Sequence, residues 1–321
     1  MRALHRDQVA TSAALVRALL TEQLPHLAAL PVVPVSSSGT DHDVFRLGDH
    51  LAVRLPKIAW AREQGALEAR WLPLLAPRLP LALPRTEALG APGCGYPFAW
   101  AVVGWLPGRQ ADPDRDATEH TAADVAGFVT ALRSVPPDLA GAPPVRSPGQ
   151  RGGPLAALDD DVRAALAELG ARVDVVVSGR GGTGGRRAVL RCWEAALEAP
   201  PHAGPPVWSH GDLLPGNVLV DLHVDPATSS RPTAVIDWGS AALADPATDL
   251  RPAWHLFGSA SARAAQQRFR EGVVADDAEW ARGRGVVVHQ ALQALPYYWE
   301  TNPAMVAQAS RALAAAVAET A

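Results

Sequence analysis

One stretch, Val207-Trp208-Ser209-His210-Gly211-Asp212-Leu213-Leu214-Pro215-Gly216-Asn217-Val218-Leu219-Val220, constrains this chain more tightly than any other. Asp212 and Asn217 stand five positions apart on a loop that runs into an apolar strand. Twenty residues after Asn217, a second apolar run ends in Val235-Ile236-Asp237-Trp238-Gly239. Either Asp alone reads as a turn or a helix cap, because Asp and Asn side chains hydrogen-bond to nearby backbone. The joint spacing, with a strand flanking each loop, points to a site instead: a carboxylate, an amide oxygen and a second carboxylate held at fixed places.

The rest of the chain organises itself around that stretch. Val9, Ala13, Val16 and Leu20 recur at helical spacing, so a first helix is expected over 7–20. A meander of short antiparallel strands follows: 32–36, 44–47 and 51–55, joined by the polar loop from Ser36 and the turn Gly48-Asp49-His50. Leu67, Trp71, Leu74 and Leu75 predict a helix over 60–76. Residues 84–89 and 98–105 read as two more strands. Leu106-Pro107-Gly108 is a chain-reversal or linker signal, and the boundary between two lobes is placed there, giving 1–106 and 107–321. Beyond it helices are expected over 118–133, 159–170, 186–198, 261–271, 276–296 and 303–319, with two short strands near 217–221 and 233–237. The glycine-rich run 178–187 is too poor in side chains to pack a core and reads as a surface loop. With 321 residues the chain suits about two such lobes, and a cleft between them is where a ligand is expected.

The chemistry that suits these residues is phosphoryl transfer. Nucleotide phosphates need Mg²⁺ held by hard oxygen ligands, and the attacking hydroxyl needs a positioned carboxylate to take its proton. Protein kinases meet these needs with a catalytic Asp, an Asn five residues on, and a metal-binding Asp before Gly. His210-Gly211-Asp212 with Asn217, Ile236-Asp237-Trp238-Gly239 and Asp245-Pro246-Ala247-Thr248-Asp249-Leu250 resembles the aminoglycoside phosphotransferase family, which also includes macrolide, choline and other small-molecule kinases. The resemblance runs from about Val35 to Leu295. It implies an α+β, protein-kinase-like bilobal fold, with an antiparallel-sheet N-lobe and a mainly helical C-lobe. It implies Asp212 as catalytic base, Asn217 and Asp237 as Mg²⁺ ligands, and ATP or GTP as co-substrate. The acceptor it implies is a hydroxyl of a small molecule, an antibiotic among the candidates. His210 is expected to brace the loop, and Asp249 to order it or cap a helix.

The N-lobe is read against the same requirement for a cation on the third strand and a helix carboxylate to orient it. In Leu51-Ala52-Val53-Arg54-Leu55, period-2 alternation sets Arg54 on the face opposite the leucines. Its expected partner is Glu68, chosen over Glu63 because it sits mid-helix. Arg stands where the family more often has Lys, and its planar fork grips phosphate differently. Lys57 is a weaker candidate because Pro56 should end the strand before it. Ser37, Ser38 and Gly39 are expected to cover the phosphates through hydroxyls and backbone amides, although only one glycine is present. Val102, Val103, Gly104 and Trp105 are expected to form the hinge that offers backbone groups to a purine.

Charge and cysteine content exclude several classes. Net charge is −4, against a nucleic-acid binder, which would carry a basic excess; a mildly acidic surface is compatible with a cationic substrate. The two cysteines, Cys94 and Cys192, form no metal or disulfide framework. Arg6, Asp7 and Arg17 break any secretory signal, and no membrane-spanning run occurs, so a cytoplasmic location is expected. Three alternatives stay open: a metabolic kinase for a sugar or amino alcohol, a nucleotide-binding pseudokinase, and a metal-dependent hydrolase using His210 and Asp212.

Overall fold

The computed structural model describes residues 7–35, 41–139, 145–150, 152–179, 182–222 and 230–319. The N-terminal sheet is built from β1 (Val32–Val35), β2 (His42–Leu47), β3 (Leu51–Pro56), β4 (Thr86–Gly90) and β5 (Trp100–Gly104), all antiparallel in the order β1-β2-β3-β5-β4. Alternation along β3 decides what each face does. Val53 and Leu55 are fully buried and pack with Val16, Leu19 and Leu20 of helix α1 (Ala13–Gln23). Ala52 and Arg54 point the other way, where Ala52 joins Ala101 and Val103 in a small cluster.

Two expectations about this region change. The first helix starts at Ala13, not residue 7, because Ser12 accepts a hydrogen bond from the Leu15 amide and caps it. Val9 instead donates its amide to the Lys57 carbonyl beside the end of β3. Pro56 does not end the strand before itself: it pairs with His42 as the last residue of β3. Lys57 is turned to Asp43 (3.2 Å) and does not line the cleft.

Helix α2 (Gln64–Leu75) follows and buries Glu68, Trp71, Leu72 and Leu75. After β5 the chain turns at Gly108, whose φ of 135° and closeness to the Val220 carbonyl, 2.9 Å from where a Cβ would sit, leave room for no side chain. β6 (Arg109–Gln110) joins a three-stranded sheet in the order β6-β8-β9 with β8 (Val218–Val220) and β9 (Pro232–Val235). The helical part comprises α3 (Glu119–Arg133), α4 (Asp159–Leu169), α5 (Arg172–Ser178), α6 (Gly185–Glu198), α7 (Pro252–His255), α8 (Arg263–Val273), α9 (Asp277–Tyr298) and α10 (Pro303–Ala318). Helix α5 ends on Ser178, the first residue of the stretch read as a glycine-rich loop, and the last residues of that stretch belong to α6; Arg180 and Gly181 fall outside the described residues. The fold is therefore a kinase-like α+β arrangement: a five-stranded antiparallel sheet first, helices mostly after it.

A further two-stranded sheet, β7 (Val207–Ser209) with β10 (Ala242–Ala244), was not expected. Each strand is only three residues long, too short for alternation to register. It matters, because it holds the loop after Ser209 beside the loop that leads to Asp249.

Candidate active site

The loop after β7 is fixed by backbone bonds before any side chain reaches the cleft. Gly211 adopts φ 77°, and a Cβ there would lie 2.2 Å from the Ser240 carbonyl oxygen, so only glycine fits. The buried Asp249 carboxylate accepts the His210 amide (2.7 Å) and the Gly211 amide (3.0 Å). His210 lies 3.0 Å from the Ile236 carbonyl through Nε2. A carbonyl only accepts, so Nε2 carries the proton, and Nδ1 accepts the Asp212 amide (3.3 Å). With both nitrogens engaged, His210 braces two loops and has no nitrogen left for a metal, which removes the basis of the hydrolase alternative. The His210 ring also packs edge-on against Trp238, centroids 4.8 Å apart.

Asn217 donates Nδ2 to the Asp212 carbonyl (2.8 Å) while its own carbonyl accepts the Ile236 amide (2.9 Å). With the amide nitrogen used this way, the side-chain oxygen is the group that Asn217 can offer a cation. Asp237 sits at φ 65°, ψ 67°, a left-handed conformation that costs a non-glycine residue about 1–3 kcal/mol and is found where a site over-determines it.

A chain of charge connects this loop to the sheet above. Arg54 pairs through Nη1 with Glu68 Oε2 and reaches Asp237 Oδ1 with Nη2 at 3.1 Å. Glu68, 1% exposed, also accepts the Trp238 amide through Oε1 (3.1 Å). Burial pushes the Glu68 carboxyl up against the pull of Arg54. Burial likewise raises Asp237, with Arg54 opposing and the Asp212 and Asp41 carboxylates adding to the rise. Crowded acidic oxygens of this kind favour a cation.

Arg54, Val103, Trp105, Asp212, Asn217 and Asp237 all line one cleft of about 470 Å³ between the five-stranded sheet and the loops below it. Glu68 lies behind Arg54. Ser37, Ser38 and Gly39 lie outside the described residues. The Trp105 amide donates to the His50 carbonyl (2.7 Å), and its ring lies under the Arg46 guanidinium, 4.2 Å from the centroid. Among the described residues no group of three or more His, Cys, Asp or Glu could hold a metal unaided. Asn217 and Asp237 fit a Mg²⁺ that shares its remaining positions with nucleotide phosphates and water.

Four residues escaped the sequence reading. Arg251, fully buried, donates Nη1 to the Gly211 carbonyl and to Asp212 Oδ1 (3.0 Å), and Gln290 of α9 donates Nε2 to the same oxygen (3.0 Å). A charged residue inside the apolar run Leu250-Arg251-Pro252-Ala253-Trp254 was a legible signal for the first; nothing local marked the second. Met305 and Gln308 of α10 complete the far wall of the cleft, and their helix gave no hint of it.

The sequence model described as the phosphotransferase enzyme family matches residues 31–286. Among solved structures, APH(2")-IIia in complex with GDP and kanamycin is similar at TM-score 0.69 and 18% identity, with 95% of this chain and 99% of that one covered. The GDP complex of wild-type aminoglycoside 2'-phosphotransferase-IIIa gives TM-score 0.68 at 15% identity, over 97% of this chain and 100% of that one. The apoenzyme of macrolide 2'-phosphotransferase MphH from Brachybacterium faecium gives TM-score 0.55 at 25% identity, over 94% and 97%. No curated protein matches by sequence.

Proposed function

The chain belongs to the phosphotransferase enzyme family, and on that premise we propose that it transfers the γ-phosphate of ATP or GTP to a hydroxyl of a small molecule, an antibiotic among the candidate acceptors. The observation that carries this reading is the convergence of Asp212, Asn217 and the Glu68–Arg54–Asp237 chain on one cleft. Relatives of the same fold have been solved with GDP and kanamycin and as a macrolide kinase, which supports both the donor class and the acceptor class.

In this reading residues 1–106 bind the nucleotide and 107–321 supply the catalytic loop and the acceptor pocket. Arg54, oriented by Glu68, neutralises phosphate charge. Val103 and Trp105 bound the purine end, and Ser37, Ser38 and Gly39 cover the phosphates. Asn217 and Asp237 hold Mg²⁺, which when bound offsets the charge of the β- and γ-phosphates. Asp212 accepts the proton of the acceptor hydroxyl as that oxygen attacks phosphorus. Its backbone carbonyl accepts from Asn217, which ties the base to the metal site. The test is incubation of the purified chain with Mg²⁺ and ATP or GTP against aminoglycosides, macrolides, peptide antibiotics and amino alcohols, read by product mass. Phosphate gain on a hydroxylated compound supports the reading; nucleotide-independent change of the compound, or none with any compound, counts against it.

A further inference from the structure

The carboxylate of Asp212 is held more firmly than proton acceptance alone requires. A carboxylate torsion is broad and roughly two-fold, so an Asp at a loop tip samples many orientations unless neighbours fix it. Here two elements far apart in sequence fix it. Arg251, just before α7, uses one guanidinium nitrogen on both the Gly211 carbonyl and Asp212 Oδ1. Gln290, in α9, brings its amide nitrogen to the same oxygen at 3.0 Å.

The supports are themselves rigid. Arg251 is 0% exposed, and Asp249, two residues before it, is 2% exposed and binds the amides of His210 and Gly211. Residues 249–251 therefore grip the loop on both its donors and its acceptors. Helix α9 is anchored a few turns earlier, where Arg282 makes a two-point contact with Asp245 (2.8 and 3.2 Å). An ionised carboxylate has only acceptors to offer, so the Gln290 amide is oriented nitrogen-first towards it. Its oxygen is buried without a hydrogen-bond partner, a cost this orientation accepts.

We propose that Arg251 and Gln290 are positioning residues for Asp212: together they lock the plane of its carboxylate, so that the acceptor hydroxyl meets a base already aligned. This rests on the reading of Asp212 as the group that takes the acceptor's proton. Neither residue reaches the nucleotide end of the cleft, where Arg54 and Asp237 lie, so their effect falls on turnover rather than on nucleotide binding.

The experiment is steady-state turnover of Mg-ATP and Mg-GTP by the full chain, with kanamycin, a macrolide or water as acceptor, in Gln290→Leu, Arg251→Lys, Asp212→Asn and the double variant Asp212→Asn/Gln290→Leu. Misplacement of a base lowers kcat by about 10- to 100-fold, and that loss is expected for Gln290→Leu and Arg251→Lys, with the KM for nucleotide within about twofold of the unaltered chain. Residues acting through one group are not additive, so Gln290→Leu is expected to cause no further loss in the Asp212→Asn background. Arg251 is buried and its variant tests folding as well, which is why Gln290, a neutral and partly exposed side chain, carries the decision. Asp212→Asn reduced to residual turnover with Gln290→Leu at full kcat overturns the positioning role and leaves the reading of Asp212 intact. So does a loss that multiplies with that of Asp212→Asn. Asp212→Asn at full kcat overturns the reading of Asp212, and the positioning role with it.

Discussion

Arg54 occupies the position where one side chain does the most. It holds the buried Glu68 and reaches Asp237 with separate nitrogens, a division that a single ammonium cannot reproduce. Arg54→Met would strand the Glu68 carboxylate, 1% exposed, at a cost of about 3–5 kcal/mol for an uncompensated buried charge. Urea unfolding checks this, and Glu68→Gln, which keeps an acceptor for the Trp238 amide, should cost less. His255 is the other informative side chain. It is buried without a hydrogen-bond partner on either ring nitrogen, and burial, with the nearby Arg251 charge, lowers its pKa to about 3. Between that value and the unfolded value near 6.5, the unfolded chain binds a proton that the folded chain refuses. Stability therefore falls as pH drops through this window, by about 1.4 kcal/mol per pH unit. His255→Leu should show a shallower fall of Tm between pH 6.5 and 4; part of the slope should remain, because burial also lowers His42. An identical slope would show that His255 does not titrate this way. At this scale the sequence was legible where local spacing is fixed: Asp212, Asn217 and Asp237 were picked out by their spacing, and they line one cleft. Arg251 and Gln290 meet Asp212 across 39 and 78 positions, and no local pattern encodes such contacts.

Among elements, the short β7–β10 ladder and the 249–251 segment hold the loop that carries Asp212, and that loop depends on Gly211. Gly211→Ala sets a methyl group against the Ser240 carbonyl and forces a left-handed residue with a side chain. The expected result is destabilisation of at least about 1–3 kcal/mol with loss of turnover, measured by thermal unfolding and by nucleotide consumption. Long amphipathic helices were readable to within a few residues, because apolar periodicity over three or more turns is a strong signal. α3, α9 and α10 are examples. The three-residue strands β7 and β10 were not, because their existence depends on pairing across the chain and not on their own composition. The start of α1 was displaced for a related reason: Val9 fits the helical stripe, but Ser12 caps the helix and Val9 joins the end of β3.

For the whole molecule, the cleft joins residues of the sheet, the loops after β7 and β9, and the last helix. Among the described residues the metal donors are too few to hold Mg²⁺ alone, so metal and nucleotide should bind together. Mg-ATP or Mg-GTP at about 100 times Kd should stabilise the fold by about 2.7 kcal/mol. Mg²⁺ alone should not shift Tm, and nucleotide with a chelator should shift it less. The order of an antiparallel sheet first and helices mostly after it was foreseeable from the change of strand period to helix period along the chain. The share of α10 in the cleft was not, since the face that it turns there is set by packing against α9. The most direct test of the central claim is phosphate transfer followed by mass, comparing the unaltered chain with Asp212→Ala under Mg²⁺ and ATP or GTP across the acceptor panel. The account predicts that one hydroxylated compound gains phosphate and that the Asp212→Ala variant abolishes the gain. Full transfer by that variant, or no transfer to any compound, would contradict it.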